Sequence, residues 1–184
     1  MPNPAIVRLY DSTIPSGNAY KVHLALSHLG LQVNVTDLDI LATPSETRSP
    51  EFLAKNANGR IPVAELQDGA CLPESNAILL YLLDGTPYVP QDLLARARML
   101  SWMFFEQYSH ERFIAVLKFW TYWGGLHNKR PEEIEQWRTQ GQAALEVMEK
   151  HLRTQAFFSG DRYGAADIAL FAYTQSAADI GYDT

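Results

Sequence analysis

Strand-forming patterns are confined to the first part of this chain. Runs of β-branched and alternating residues end by about position 83, and beyond a Gly/Pro-rich break only patterns of helical period remain. That one-sided partition predicts an α/β layer followed by an all-helical body. The 184 residues suffice for two small domains. The expected division is 1–83 for the α/β domain, 84–91 for a linker containing Gly85, Pro87 and Pro90, and 92–184 for the helices.

Within the first segment, Ile6 to Tyr10 reads as a strand closed by the turn-forming pair Asp11-Ser12. A loop through Pro15-Ser16-Gly17-Asn18 leads to a helix over 18–29, where Val22, Ala25, Leu26 and Leu29 share a face and Gly30 supplies the stop. Gln32 to Ile40 reads as a second strand, so the order favours a right-handed parallel crossover. Ser49-Pro50 starts a short helix. Ile61 to Leu66 and Ala70 to Leu72 flank Asp68-Gly69 as a hairpin. Pro73-Glu74-Ser75-Asn76 then opens a helix bearing Ile78, Leu79, Tyr81, Leu82 and Leu83. The second segment predicts helices from Asp92 to about Trp123, from Pro131 with a face of Ile134, Trp137, Gly141, Ala144, Met148 and Leu152, and from Gly164 through Tyr173.

Composition narrows the function classes. A net charge of −6 argues against a general nucleic-acid or anionic-membrane binder, since no lysine or arginine cluster compensates it. No run approaches the ~18 apolar residues of a membrane span. Met1-Pro2-Asn3-Pro4 lacks the pattern of a secretory leader. Cys71 is the single cysteine, which suits a reducing compartment and leaves no intrachain disulfide; it reads as a buried core thiol. His110 and His127 have no partner spacing for a metal. A cytoplasmic protein without a metal is the expectation.

Three motifs, in order, carry a family resemblance. They are Ser16-Gly17-Asn18-Ala19-Tyr20-Lys21; Asn58-Gly59-Arg60-Ile61-Pro62-Val63 with Asp68-Gly69 and Leu72-Pro73-Glu74-Ser75-Asn76-Ala77-Ile78; and Ala166-Asp167-Ile168-Ala169. Together they resemble the cytosolic glutathione S-transferases over essentially the whole chain, and the first is similar to the thiol-activating loop of bacterial serine- or threonine-type members. The resemblance implies a thioredoxin-like glutathione-binding domain, an all-α C-terminal domain, and a homodimer with sites at the domain cleft. It implies glutathione as co-substrate, a small electrophile as second substrate, and no metal. One departure is expected to matter: the family usually continues for another helix or so where this sequence stops at Asp183-Thr184, an apparent truncation that would take part of the co-substrate pocket with it.

A proline is tolerated at a strand start, where its missing N–H need not enter the ladder. In the family this proline, here Pro62, is cis, and the resemblance implies that Ile61 offers its backbone N–H and C=O to the cysteinyl part of glutathione. An ordinary edge-strand proline is the alternative. The γ-glutamyl end carries a carboxylate and an ammonium. A helix N-terminus with the Ser75 hydroxyl suits the first, and Glu74 the second; simple helix capping by both is the alternative. Arg60 suits a glutathione carboxylate, against a plain solvated arginine.

The glutathione thiol has a reference pKa near ~8.5, so little is thiolate at neutral pH. A hydroxyl donating to sulfur stabilises the anion, and a helix N-terminus adds favourable field. Lowering that pKa by two units takes about 2.7 kcal/mol, within reach of one or two charge-assisted bonds. Ser16 is the proposed catalytic residue and Asn18 a second donor or an orienter of the sulfur. Ser12, Tyr10 and a purely capping Ser16 are the rivals. Trp102, Phe104, Phe105, Tyr108, Phe113, Phe119, Trp120, Tyr122 and Trp123 divide between core, dimer contact and an apolar co-substrate pocket. Asp167 stands three residues after Gly164, where the family has Ser or Thr, so a one-sided helix cap is expected there.

Overall fold

In the computed structural model, which describes residues 5–184, the chain begins with β1 (Ile6–Ser12), α1 (Gly17–His28) and β2 (Asn34–Leu38). The Met1–Pro4 stretch, read above as lacking a leader's pattern, lies outside the described residues. A short 3-10 turn precedes α2 (Pro50–Leu53), and β3 (Val63–Leu66), β4 (Cys71–Pro73) and α3 (Ser75–Leu83) follow. The four strands form one sheet in the order β2-β1-β3-β4, with β1 and β2 parallel and the other pairs antiparallel.

Side chains alternate across this sheet, so its two faces pack against different helices. Leu9 and Ala64 face Val22 and Leu26 of α1 and Ile78 of α3, while Tyr10 and Val63 face Phe52 of α2. Ile6 joins Leu9 on one face although only Val7 and Arg8 lie between them, because the register against β3 shifts between Ile6 and Arg8.

Several boundaries differ from expectation. β1 continues through Asp11 and Ser12 because these pair with Asp37 and Leu38 of β2. The second strand is shorter at both ends than 32–40. Pro73 closes the edge strand β4 rather than opening α3, since an edge position has no use for the missing N–H. Pro62 stands just before β3, and the Ile61–Pro62 and Thr43–Pro44 peptides are both cis.

The chain divides into two compact units, Met1–Asp84 and Gly85–Thr184. The second holds α4 (Leu93–Phe105), α5 (Arg112–Trp123), α6 (Pro131–Leu152) and α7 (Ala165–Thr174). Its buried residues include Met99, Met103, Ile114, Leu117, Met148, Ile168 and Leu170. Between α4 and α5 runs a π-helical segment, Glu106–Glu111, which the 3.6-residue pattern did not reveal. His110 lies buried there with Nε2 2.8 Å from Thr174 Oγ1. Thr174 Oγ1 itself donates to Leu170 O, so the histidine nitrogen carries the hydrogen. The architecture is a thioredoxin-like α/β layer joined to an all-helical body.

The start of α7 departs from the one-sided cap. Asp167 accepts from the backbone N–H groups of Phe158, Ser159 and Gly164 at 2.8, 3.3 and 2.9 Å. The hydroxyl that a glycine at the cap lacks is supplied by Ser159, whose Oγ accepts from Ala166 N at 3.1 Å. A Cβ on Gly164 would stand 2.7 Å from that same Oγ and 2.6 Å from Tyr88 O, so glycine and serine are a matched pair.

Candidate functional site

Strand register brings the named residues to one end of the sheet. Tyr10 pairs with Val63 and Val63 with Pro73. The chain leaving β1 toward Ser16, the chain entering β3 through Ile61-Pro62, and the chain leaving β4 toward Glu74-Ser75 therefore share that end of the sheet. The N-termini of α1 and α3 lie in those same connections, so two sets of helix-start N–H groups accompany them.

Ser16 is half-buried and is the N-cap of α1, its Oγ accepting from Ala19 N at 3.3 Å. That bond uses a lone pair and leaves the hydroxyl proton to be donated elsewhere. The two rivals are differently placed. Ser12 is the last residue of β1, buried, and donates its proton to Ile14 O at 2.5 Å. Tyr10 is also buried and donates to Glu65 Oε2 at 2.6 Å. Burial and the donation to Glu65 push the Tyr10 phenol above its usual value, while the same bond holds the Glu65 carboxyl below its own. A phenol so held is a poor donor to sulfur.

Asn18 looks inward. Its Oδ1 accepts from Lys21 Nζ at 2.7 Å and from Ser75 Oγ at 3.2 Å, and Lys21 Nζ also reaches Ser75 Oγ at 3.3 Å. An ammonium can only donate, so the atom facing it is the amide oxygen and the amide nitrogen points the other way. Lys21 is fully buried at 0% exposure and was overlooked as a site residue. The available signal was its position one helical turn from Ala25, on the face that carries the apolar residues.

Ser75 is the first residue of α3 and is buried, whereas Glu74 is exposed and makes no side-chain cap. Glu74 has φ 72° and ψ 113°, the only non-glycine residue with positive φ among those described. A bulky residue held there stores roughly 1–3 kcal/mol of strain, which persists where the surroundings dictate the bend. Here the bend turns β4 directly into α3 and leaves the carboxylate projecting beside an uncapped helix start.

Ile61 is half-buried, and no described backbone group pairs with its N–H or C=O. Such a pair at a strand's entrance can accept an extended peptide as an added strand. Pro62 beside it is buried, and the Arg60 side chain is exposed. The loop before them is held by Asn56, a second overlooked residue, which donates to Arg60 O at 2.7 Å and accepts from Asn58 N at 3.0 Å. Gly59 has φ 61°, and a Cβ there would stand 2.9 Å from Thr47 O.

The aromatic residues of the second unit separate into groups. Trp102 packs with Phe105, His151 and Phe158 at centroid distances of 5.2, 4.7 and 4.8 Å. Phe113 and Trp120 both pack on Trp137. Phe104 and Tyr108 are exposed. Cys71, expected to be buried, is half-exposed because β4 is an edge strand. Among the described residues no group of three His, Cys, Asp or Glu could hold a metal ion, and no helix is long and apolar enough to cross a membrane.

Comparison with known proteins adds two matched family models: glutathione S-transferase, N-terminal domain, over residues 7–84, and glutathione S-transferase, C-terminal domain, over residues 131–184. The chain is 46% identical to a glutathione S-transferase of Pseudomonas fluorescens, with a TM-score of 0.91 over 97% of this chain and 88% of that one. It is 27% identical to the glutathione transferase URE2P6 of Phanerochaete chrysosporium, solved with oxidized glutathione, with a TM-score of 0.83 over 94% and 79%. It is also 29% identical to a maleylacetoacetate isomerase of Pseudomonas aeruginosa, over 90% of this chain and 79% of that protein.

Proposed function

The chain belongs to the glutathione S-transferase family, and from that membership we propose that it binds glutathione at the described end of the sheet and activates its thiol for attack on small electrophiles. The observation that carries the reading is the unpaired backbone of Ile61, set between the starts of α1 and α3. In this arrangement the cysteinyl segment pairs with the Ile61 backbone beside Pro62. The γ-glutamyl carboxylate meets the α3 N-terminus and Ser75, the Glu74 carboxylate takes the γ-glutamyl ammonium, and Arg60 is a partner for the other carboxylate. The sulfur then faces Ser16, which donates its hydroxyl proton as a hydrogen bond, with the α1 field and the Asn18 amide as further stabilisation.

Retention on immobilised glutathione tests this. Wild type is expected to be held and eluted by free glutathione, and Glu74→Ala or Ser75→Ala to weaken retention by about tenfold or more, the scale of one charged hydrogen bond. A folded chain that passes through unretained would mark the fold as a protein-docking module instead.

A glutathione-dependent disulfide reductase or peroxidase is the second reading. The Ser-x-Asn loop favours it, as does the oxidized glutathione held by the Phanerochaete relative. Turnover of a mixed glutathione disulfide against that of an aryl halide separates the two. A homodimer belongs to the same proposal, supported by the exposed apolar residues Leu93, Phe104 and Tyr108 along α4 and the π-helical segment. So does a cytoplasmic, detoxifying role, since the cytosol keeps glutathione reduced.

A further inference from the structure

The buried lysine has no part in the proposed chemistry above, yet it touches two residues that do. We propose that Lys21 is a positioning residue that ties the sulfur end of the glutathione site to its γ-glutamyl end through Asn18 and Ser75, and that its charge is used by both ends.

Three bonds close a triangle: Lys21 Nζ to Asn18 Oδ1 at 2.7 Å, Lys21 Nζ to Ser75 Oγ at 3.3 Å, and Ser75 Oγ to Asn18 Oδ1 at 3.2 Å. Two consequences follow from donor and acceptor counting. First, Lys21 determines which way the Asn18 amide points, because only an oxygen can face an ammonium. The donor end of Asn18 therefore faces away from Lys21, in the first turn of α1 two residues after Ser16. Second, the Ser75 hydroxyl is free to exchange its acceptor. Its proton now rests on Asn18, and it can rotate to an incoming carboxylate because Lys21 continues to satisfy Asn18 Oδ1 and Ser75 Oγ. The same ammonium then stands behind the carboxylate as a cation shielded from water, where a charge acts over several ångströms with little screening. A neutral side chain in its place loses the orientation of Asn18 and the charge at once. Lys21 meets neither glutathione end directly in this scheme, so its effect travels through the two residues it holds.

The inference rests on the glutathione reading, and the experiment separates the two. Glutathione binding, KM and the pH dependence of the ultraviolet absorbance of bound thiolate are measured for wild type, Lys21→Met and Lys21→Arg. Lys21→Met is expected to raise KM for glutathione about tenfold and to move the thiolate midpoint up by about one pH unit. Lys21→Arg keeps the charge and restores the midpoint toward wild type. Ser75→Ala is expected to cost less in the Lys21→Met background than alone, because the pair acts as a unit. Should Lys21→Met fail to fold, Lys21→Gln is read in the same way. A lysine with only a structural role would lower Tm while leaving the thiolate midpoint and the Ser75 coupling unchanged, and that result overturns the inference alone. A wild-type chain that does not bind glutathione overturns both.

Discussion

Ser16 Oγ accepts from Ala19 N and has a proton left to give, so its two possible roles are compatible and separable. Ser16→Ala is expected to lower kcat by about 100-fold, the scale of one lost oxyanion donor, with KM for glutathione nearly unchanged. The same variant loses a helix cap and about 1 kcal/mol of stability. Tyr10→Phe leaves kcat where it was, since that phenol is committed to Glu65; steady-state kinetics on both variants checks the assignment. A second residue-scale expectation concerns His23, whose Nε2 lies 2.9 Å from Asp11 Oδ2. The hydrogen bond to Asp11 raises the imidazole pKa against the opposing effect of partial burial. A raised folded-state value means the stabilisation is complete below the unfolded value near ~6.5 and fades as pH climbs through the folded one. With 39% of the side chain exposed, the effect is about 0.5 kcal/mol or less. Denaturant titrations should show the gap between wild type and His23→Gln closing from about pH 6 to about pH 8.

Elements owe their ends to partners that local pattern does not reveal. The α7 start is the clearest case: Asp167 gathers N–H groups from Phe158 and Ser159 as well as from Gly164, and Ser159 returns a bond to Ala166. Gly164 and Asp167 at their short spacing were legible as half a cap. Ser159 was not, because the bend that brings it back depends on the intervening turn. Asp167→Ala strands three N–H groups and is expected to cost on the order of 3 kcal/mol by chemical denaturation, with Asp167→Asn costing less because one acceptor oxygen remains. β1 likewise outran its expected end, since pairing with β2 outweighs the turn preference of Asp11-Ser12. The π-helical segment was invisible because its six residues are too few for a change of period to be read from hydrophobic spacing.

At the scale of the whole molecule, Leu93, Phe104 and Tyr108 are 83%, 71% and 75% exposed along one helical run, which makes that run the place to test for contact with a second copy. Light scattering is expected to give twice the chain mass, and Phe104→Glu to shift it toward the single chain. A wild-type chain that runs as a monomer would end the dimer proposal. The division into a strand-bearing layer and a helical body was readable from periodicity alone, because burial of one face imposes a period of 2 or 3.6 on any element. The motifs Ile61-Pro62 and Glu74-Ser75 were readable as a family resemblance, and strand register sets both at one end of the sheet. Tertiary structure alone decided that Ser12 and Tyr10 spend their protons elsewhere, that Lys21 lies buried between Asn18 and Ser75, and that Ser159 completes a helix start. Some of these contacts span more than fifty residues, as Tyr10 to Glu65 and Lys21 to Ser75 do, and others depend on how a turn folds, as Ser12 to Ile14 and Ser159 to Ala166 do; neither kind of hydrogen bond imprints a period on the sequence that makes it.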